Sequence, residues 1–139
     1  MTYKLEFELQ GLPKTTNSGG RAHWAVKVKE ARLLKLAVGI ATLGARPLKP
    51  LSKARLVLTR YSSSEPDADG LVSSFKHILD GLVEAGVLEN DRRANIGMPD
   101  YRWEKCKPKQ GRVRVEVEEV NEINKHEQEA PRGEVLNGN

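Results

Sequence analysis

At the start of the chain Tyr3, Leu5, Phe7 and Leu9 alternate with Lys4, Glu6 and Glu8, the two-residue period of a strand with one buried face. The run GLPKTTNSGG replaces that period with Gly, Pro, Thr, Asn and Ser and reads as a loop whose end offers helix-capping residues. Residues 21–43 predict a helix with Val26, Leu33, Leu34, Ala37, Val38, Ile40 and Ala41 as apolar positions, ended by Gly44, Pro47 and Pro50. Residues 54–61, ARLVLTRY, are apolar through their middle and predict a central strand, which SSSEP breaks. A second helix is expected over residues 69–85, stopping at Gly86, where glycine takes up the left-handed cap. Val87 and Leu88 then lead into a short acidic turn. Residues 94–98 and 101–105 predict extended segments, KPKQG a turn, and Val113, Val115 and Val117, alternating with Arg112, Arg114, Glu116 and Glu118, a last strand.

Strand, helix, strand, helix and further strands predict one small α/β (α+β) domain over residues 1–120, with a mixed sheet of about four strands and two main helices. Residues 121–139, NEINKHEQEAPRGEVLNGN, are polar, lack aromatic residues and read as a flexible tail. There is no internal repeat. A length of 139 residues suits one domain, and 38% hydrophobic residues supply one modest core. A mean hydropathy of -0.56 argues against a membrane protein. The longest apolar stretch, residues 33–45, is interrupted by Lys35 and falls short of the ~18–20 residues a spanning helix needs. The alternating start is unlike a signal peptide. A lone cysteine, Cys106, leaves no partner for an internal disulfide or a cysteine-based zinc site, and a reducing cytoplasm is the expected compartment.

Charge adds to this picture. The net charge is +4, from 23 bases and 19 acids; setting aside the two bases and four acids of residues 121–139 leaves +6 for the domain. Lys14, Arg21, Lys27, Lys29, Arg32 and Lys35 crowd into residues 13–35 against one acid, Glu30, a clustering that suits a polyanion such as nucleic acid or, equally, a solvated helix face.

The chemistry concentrates in EPDADGLVSSFKHILDGLVEAGVLENDRR, residues 65–93. With Asp69 at the start of a helix, ~100° per residue puts Ser73, Lys76 and Asp80 within about 40° of it, and Leu71, Phe75, Ile78 and Leu82 on the opposite, core-facing side. Asp67 stands two residues earlier at the strand-to-helix junction, and Asp91, after the reversal at Gly86, can return to the same neighbourhood. Carboxylates converging near a lysine suit a hard divalent cation, which bridges protein oxygens to phosphate oxygens and activates water. The lysine would stabilise charge developing on the phosphate. The plainer alternative is that Asp69 caps the helix, Asp67 forms a turn with Pro66, and Lys76–Asp80 is an exposed pair.

Pro66-Asp67-x-Asp69-Gly70-Leu71, Ser74-Phe75-Lys76-x-x-Leu79-Asp80-Gly81-Leu82, Ala85-Gly86-Val87 and Asn90-Asp91 together resemble the RusA family of Holliday-junction resolvases, which are often prophage-encoded. Gly11-Leu12-Pro13, Asn17 and His23-Trp24 upstream, and Trp103-x-Lys105 with the strand at 111–120 downstream, extend the likeness over residues 3–120. The resemblance implies a homodimeric, magnesium-dependent endonuclease, with manganese as a substitute ion, that nicks four-way DNA junctions symmetrically in recombination and repair. It implies Asp67, Asp69 and Asp91 as metal ligands and Lys76 as the catalytic lysine, with Ser73 and Asp80 in support. This chain departs from the family pattern in having Gly70 for an asparagine and Asn90 for an acid beside Asp91. It also lacks an arginine before Asp67, and Lys76 lies seven rather than four residues beyond Asp69. Those departures favour the first alternative, a non-catalytic module that binds DNA junctions; a second is a metal-dependent phosphodiesterase on another nucleic acid.

Lys14, Asn17 and Arg21 are candidates for contacts to the DNA backbone, with His23 on a phosphate and Trp24 stacking on a base or else anchoring in the core. Gly19-Gly20 lacks the spacing of a phosphate-binding loop, so no nucleotide cofactor is expected, and three scattered histidines do not suggest zinc. Cys106 lacks a neighbouring base for nucleophilic chemistry, and the bases between Lys105 and Arg114 form a candidate second phosphate-facing rim.

Overall fold

A computed structural model describes residues 2–12 and 24–120. The elements are β1 (Lys4–Gln10), α1 (Trp24–Ala41), β2 (Ala54–Ser62), α2 (Ala68–Ser73), α3 (Lys76–Glu84), α4 (Arg93–Ile96), β3 (Asp100–Lys105) and β4 (Arg112–Glu119). The expected α+β domain with a four-stranded mixed sheet is what forms. The strand order is β1-β4-β2-β3: β4 runs antiparallel to both its neighbours, and β3 pairs parallel with β2. The segment at 54–61 is indeed an inner strand. The tail expected at 121–139 lies outside the described residues.

Register converts the alternation of each strand into two faces. Leu5, Val117 and Leu56 lie side by side, as do Phe7, Val115, Leu58 and Tyr101, and then Leu9, Val113, Arg60 and Trp103. This face carries the core, into which α3 sends Phe75, Ile78 and Leu82 and α1 sends Val38, all fully buried. The opposite face holds Lys4, Glu6 and Glu8 beside Arg114, Glu116 and Glu118, tied by ion pairs such as Arg114 to Glu6 at 2.9 Å and Arg112 to Glu8 at 3.5 Å. Arg112 also lies 4.1 Å over the Tyr61 ring.

Two elements differ from the sequence expectation. The helix predicted as one piece over 69–85 is two, α2 and α3. Ser73 and Ser74 both turn back, donating to the Gly70 and Leu71 carbonyls at 3.2 and 2.8 Å, and Phe75 N–H tightens onto the Val72 carbonyl at 3.1 Å. Serines bonded to the preceding turn compete with the helical ladder and bend it. The segment expected to be extended at 94–98 contains the single turn α4, because Gly97 N–H bonds the Arg93 carbonyl with Gly97 at φ 60, and the Asn95 side chain is anchored on the Ser52 carbonyl. The stop at Gly86 is as expected: at φ 82 its N–H reaches the Val83 carbonyl while Val87 N–H reaches that of Leu82. Of the apolar positions predicted in α1, Val38 is buried and Leu34, Ala37 and Ala41 are half-buried, but Leu33 and Ile40 face outward.

The tightest helix contact is at Gly81. A Cβ there would stand 3.0 Å from Val38 Cβ and 3.3 Å from Lys35 Cα, and Lys35 closes the same contact with an ion pair to Glu84 at 3.0 Å. Gly81→Val is expected to lower stability by ~1–3 kcal/mol in chemical denaturation, because a packed backbone has to move. Gly39→Ala, whose new Cβ meets only the Arg46 guanidinium at 3.6 Å, is expected to be neutral or to stabilise by up to ~1 kcal/mol. Equal effects of the two would show that α1 and α3 are not in close contact.

Candidate functional site

Asp67 follows the break after β2 and closes the start of α2: its Oδ1 accepts from Gly70 N–H at 2.7 Å. The capping role is therefore Asp67's and not Asp69's, which stands exposed in the first helical turn. Gly70 is buried beneath this cap, and the Ser73 hydroxyl is committed to the Gly70 carbonyl.

Lys76 opens α3. Its Nζ lies 3.5 Å from Asp80 Oδ1, one turn on, and 4.0 Å from Asp91 Oδ2. Both carboxylates are 29% exposed at the side chain, whereas the lysine is 64% exposed. His77 Nδ1 approaches the other oxygen of Asp80 at 3.8 Å. Asp91 reaches this position because the chain reverses at Gly86 and runs alongside Leu51, with Leu51 N–H on the Val87 carbonyl and Glu89 N–H on the Leu51 carbonyl, each at 2.9 Å. The Asn90 side chain then accepts from Asp91 N–H at 2.8 Å and fixes the turn.

The return of Asp91 toward α3 thus agrees with the sequence expectation, but its partners there are Lys76 and Asp80. Within 4.0 Å of Lys76 Nζ lie those two carboxylates and neither Asp67 nor Asp69. Among the described residues no three His, Cys, Asp or Glu side chains gather closely enough to hold a metal ion. The bend at Ser73–Ser74 interrupts the continuous helix on which the expected alignment of Asp69 with Lys76 depended.

Tyr101 is the neighbour that sequence reasoning missed. It sits on the core face of β3, its ring 6.0 Å from that of Phe75, and its phenol is pushed above the ordinary tyrosine value, first by burial and then by the negative charge of Asp91. The alternation of β3 signals that Tyr101 faces inward, but only the loop path signals Asp91 beside it. A second unforeseen feature is an apolar groove of about 670 Å³ where β1, α1 and the α2–α3 bend meet, lined by Leu9, Leu34, Val72 and Tyr101, with Lys76 and His77 also on its wall.

The proposed DNA contacts Lys14, Asn17, Arg21 and His23 lie outside the described residues, as does the side chain of Trp24, which opens α1. Farther along α1, Lys27, Lys29 and Arg32 are exposed. The second rim is divided: Lys105, Lys107 and Lys109 are exposed around the β3–β4 turn, whereas Arg112 and Arg114 are paired with Glu8 and Glu6 on the outer sheet face. That face carries Lys4, Arg55, Arg102, Arg112 and Arg114 against six acids, so the domain's positive excess lies elsewhere. No helix among the described residues is long and apolar enough to cross a membrane.

The chain matches no known family model and no curated protein.

Removing the Asp91 charge is expected to ease ionisation of Tyr101, since a neighbouring carboxylate disfavours the phenolate. In Asp91→Asn the Tyr101 pKa, followed by NMR of ring-labelled tyrosine, should fall toward the free value of ~10 yet stay above it, because burial remains. An unchanged titration would remove Asp91 from the surroundings of Tyr101.

Proposed function

We propose that this chain is a magnesium-dependent, structure-selective endonuclease that resolves four-way DNA junctions, working around Lys76 and Asp91. The observation that carries this reading is the convergence of two half-exposed carboxylates from different segments, Asp80 of α3 and Asp91 of the following loop, on one exposed lysine. The resemblance of residues 65–93 to the RusA pattern supplies the substrate class, and the exposed bases of α1 supply cationic surface for the DNA backbone.

The donor set fits a hard cation. Asp67, Asp69, Asp80 and Asp91 offer oxygen ligands alone, and magnesium characteristically takes one or two protein carboxylates and completes its shell with water and substrate phosphate. A gathered three-carboxylate cage is therefore not required for the fit. Asp91 is common to the family pattern and to the lysine cluster, which makes it the first ligand candidate; Asp67 and Asp69 stand at the start of α2. When bound, the ion would supply an activated water and offset charge on the leaving oxygen.

Within this reading Asp80 is a positioning residue that holds the Lys76 ammonium, with His77 on its other oxygen. Lys76, freed from Asp91 when phosphate arrives, would offset charge on the scissile group. Tyr101 and Phe75 give the site its apolar floor and limit water around Asp91. Two symmetric nicks would require a second copy of the site, as the implied homodimer would provide.

One observation favours a second reading, a non-catalytic module that binds junctions. Lys76 already stands between Asp80 and Asp91, and an ammonium group there can neutralise both carboxylates without metal. Salt-sensitive binding that needs no divalent ion would then be the whole activity.

Incubation of the purified protein with a labelled four-way junction and a matched linear duplex, in magnesium or in chelator, separates these readings. Symmetric, magnesium-dependent nicks confined to the junction are expected. Lys76→Ala and Asp69→Asn should each slow cutting by roughly 10²–10³-fold while retaining junction binding and the wild-type melting temperature. Tight binding with no cutting in magnesium or manganese would establish the non-catalytic module, and equal cutting of another nucleic acid a broader phosphodiesterase. Normal cutting by Asp69→Asn would remove that residue from the site.

A further inference from the structure

The outer surface of α1 carries apolar residues with no partner in the fold. Leu33, Leu36 and Ile40 are 54%, 59% and 60% exposed, and Leu43, in the turn that closes the helix, is 65% exposed. At ~100° per residue the first three fall within ~60° of one another, and the 3-4-3 spacing from 33 to 43 is that of a helix-pairing seam. Val38, the residue α1 buries against α3, points the opposite way. The helix is therefore apolar on two sides, and a helix of that kind is ordinarily covered on both.

We infer that α1 pairs, antiparallel and about a two-fold axis, with α1 of a second copy of this chain. Self-pairing is favoured by the symmetry of the stripe about position 38. In antiparallel register Leu33 meets the partner's Leu43 and Leu36 meets the partner's Ile40, so every large apolar group faces another. A two-fold interface requires this kind of self-complementarity, in which one patch serves both copies. Charge selects the direction. Lys29 and Arg32, both exposed, lie in the first half of α1, and no charged residue occurs from Leu36 to Leu43. Parallel pairing would set Lys29 and Arg32 against their own copies, whereas antiparallel pairing sends them to opposite ends. Arg46, near the far end, is turned back onto the Gly39 carbonyl at 2.7 Å and the Thr42 hydroxyl at 3.2 Å.

The area is of the right order. The exposed parts of the four side chains come to on the order of 400 Å² per copy, enough for the apolar centre of a patch whose usual size is ~800 Å² per partner. The aliphatic stems of Arg32 and Lys29 lie alongside as a rim.

Sedimentation equilibrium of the full chain tests this pairing. The wild type is expected at twice its 15.5 kDa chain mass at micromolar concentration. Leu36→Glu combined with Ile40→Glu, both at exposed positions, should keep the wild-type circular dichroism spectrum and weaken the dimer at least ~30-fold. Met98→Glu, equally exposed but outside α1, should leave the dimer intact. With Cys106→Ser as background, Leu36→Cys plus Ile40→Cys should form an intermolecular disulfide that Leu36→Cys alone does not. A wild type that stays monomeric at every concentration, a dimer that survives the double glutamate variant, or one that Met98→Glu also disrupts would overturn the assignment. Cross-linking through Leu36→Cys alone would overturn the antiparallel arrangement. The readout is mass and not cleavage, so this inference and the nuclease reading can fail separately.

Discussion

With no side chain at position 81, α3 can approach α1 until Val38 and the Lys35 backbone lie against the Gly81 backbone, and the placement of the site follows from that approach. The contact sets the height of α3 over the sheet and the depth to which Phe75, Ile78 and Leu82 enter the core, and through them the direction in which Lys76 and Asp80 leave the helix. The loop beyond Gly86 is held from below by the Leu51–Leu88 bridge, so Asp91 is delivered to Lys76 by backbone hydrogen bonds and not by charge attraction alone. An ion pair between partly exposed groups is weak on its own, typically ~0–1 kcal/mol, so the geometry of the cluster must come from the scaffold.

Electrostatics then divides the molecule into unlike sides. The outer sheet face mixes opposite charges in cross-strand pairs, which cancel over a short distance and leave little field to attract a polyanion. The helix-bearing side joins the exposed bases of α1 to a carboxylate pair that Lys76 partly neutralises. A cation added to those carboxylates would reverse the local sign toward phosphate without changing the surroundings.

Where the local pattern decides the structure, the chain could be read directly. β1, β2 and β4 follow their alternation, the left-handed stop falls at Gly86, and the division of α3 into a buried and a polar side appears in the burial of Phe75, Ile78 and Leu82. The bend between α2 and α3 escaped because Ser73 and Ser74 look like ordinary polar helix positions until their hydroxyls bond backward. The turn α4 escaped because it is held by Ser52, more than forty positions away in the chain. The same division runs through the site. Lys76 with Asp80 follows from one-turn spacing. The approach of Tyr101 to Asp91 depends on how a strand and a loop are laid beside each other, which no helical or strand period encodes.

The strand order also bears on how the chain reaches this state. β4, the last strand made, lies between β1 and β2, so Lys4 has no ladder partner until Glu118 exists. Synthesis leaves β1 and one side of β2 without their hydrogen-bond partners until nearly the whole domain has emerged, and the sheet then closes by inserting a strand between two that are already present. Such a closure is dominated by contacts distant in sequence, which slows folding and prolongs the time during which unpaired strand edges are open to other chains. The mixed charges of β1 and β4 serve the nascent protein here, since Lys4, Glu6 and Glu8 discourage β1 from annealing to a second copy of itself while it waits.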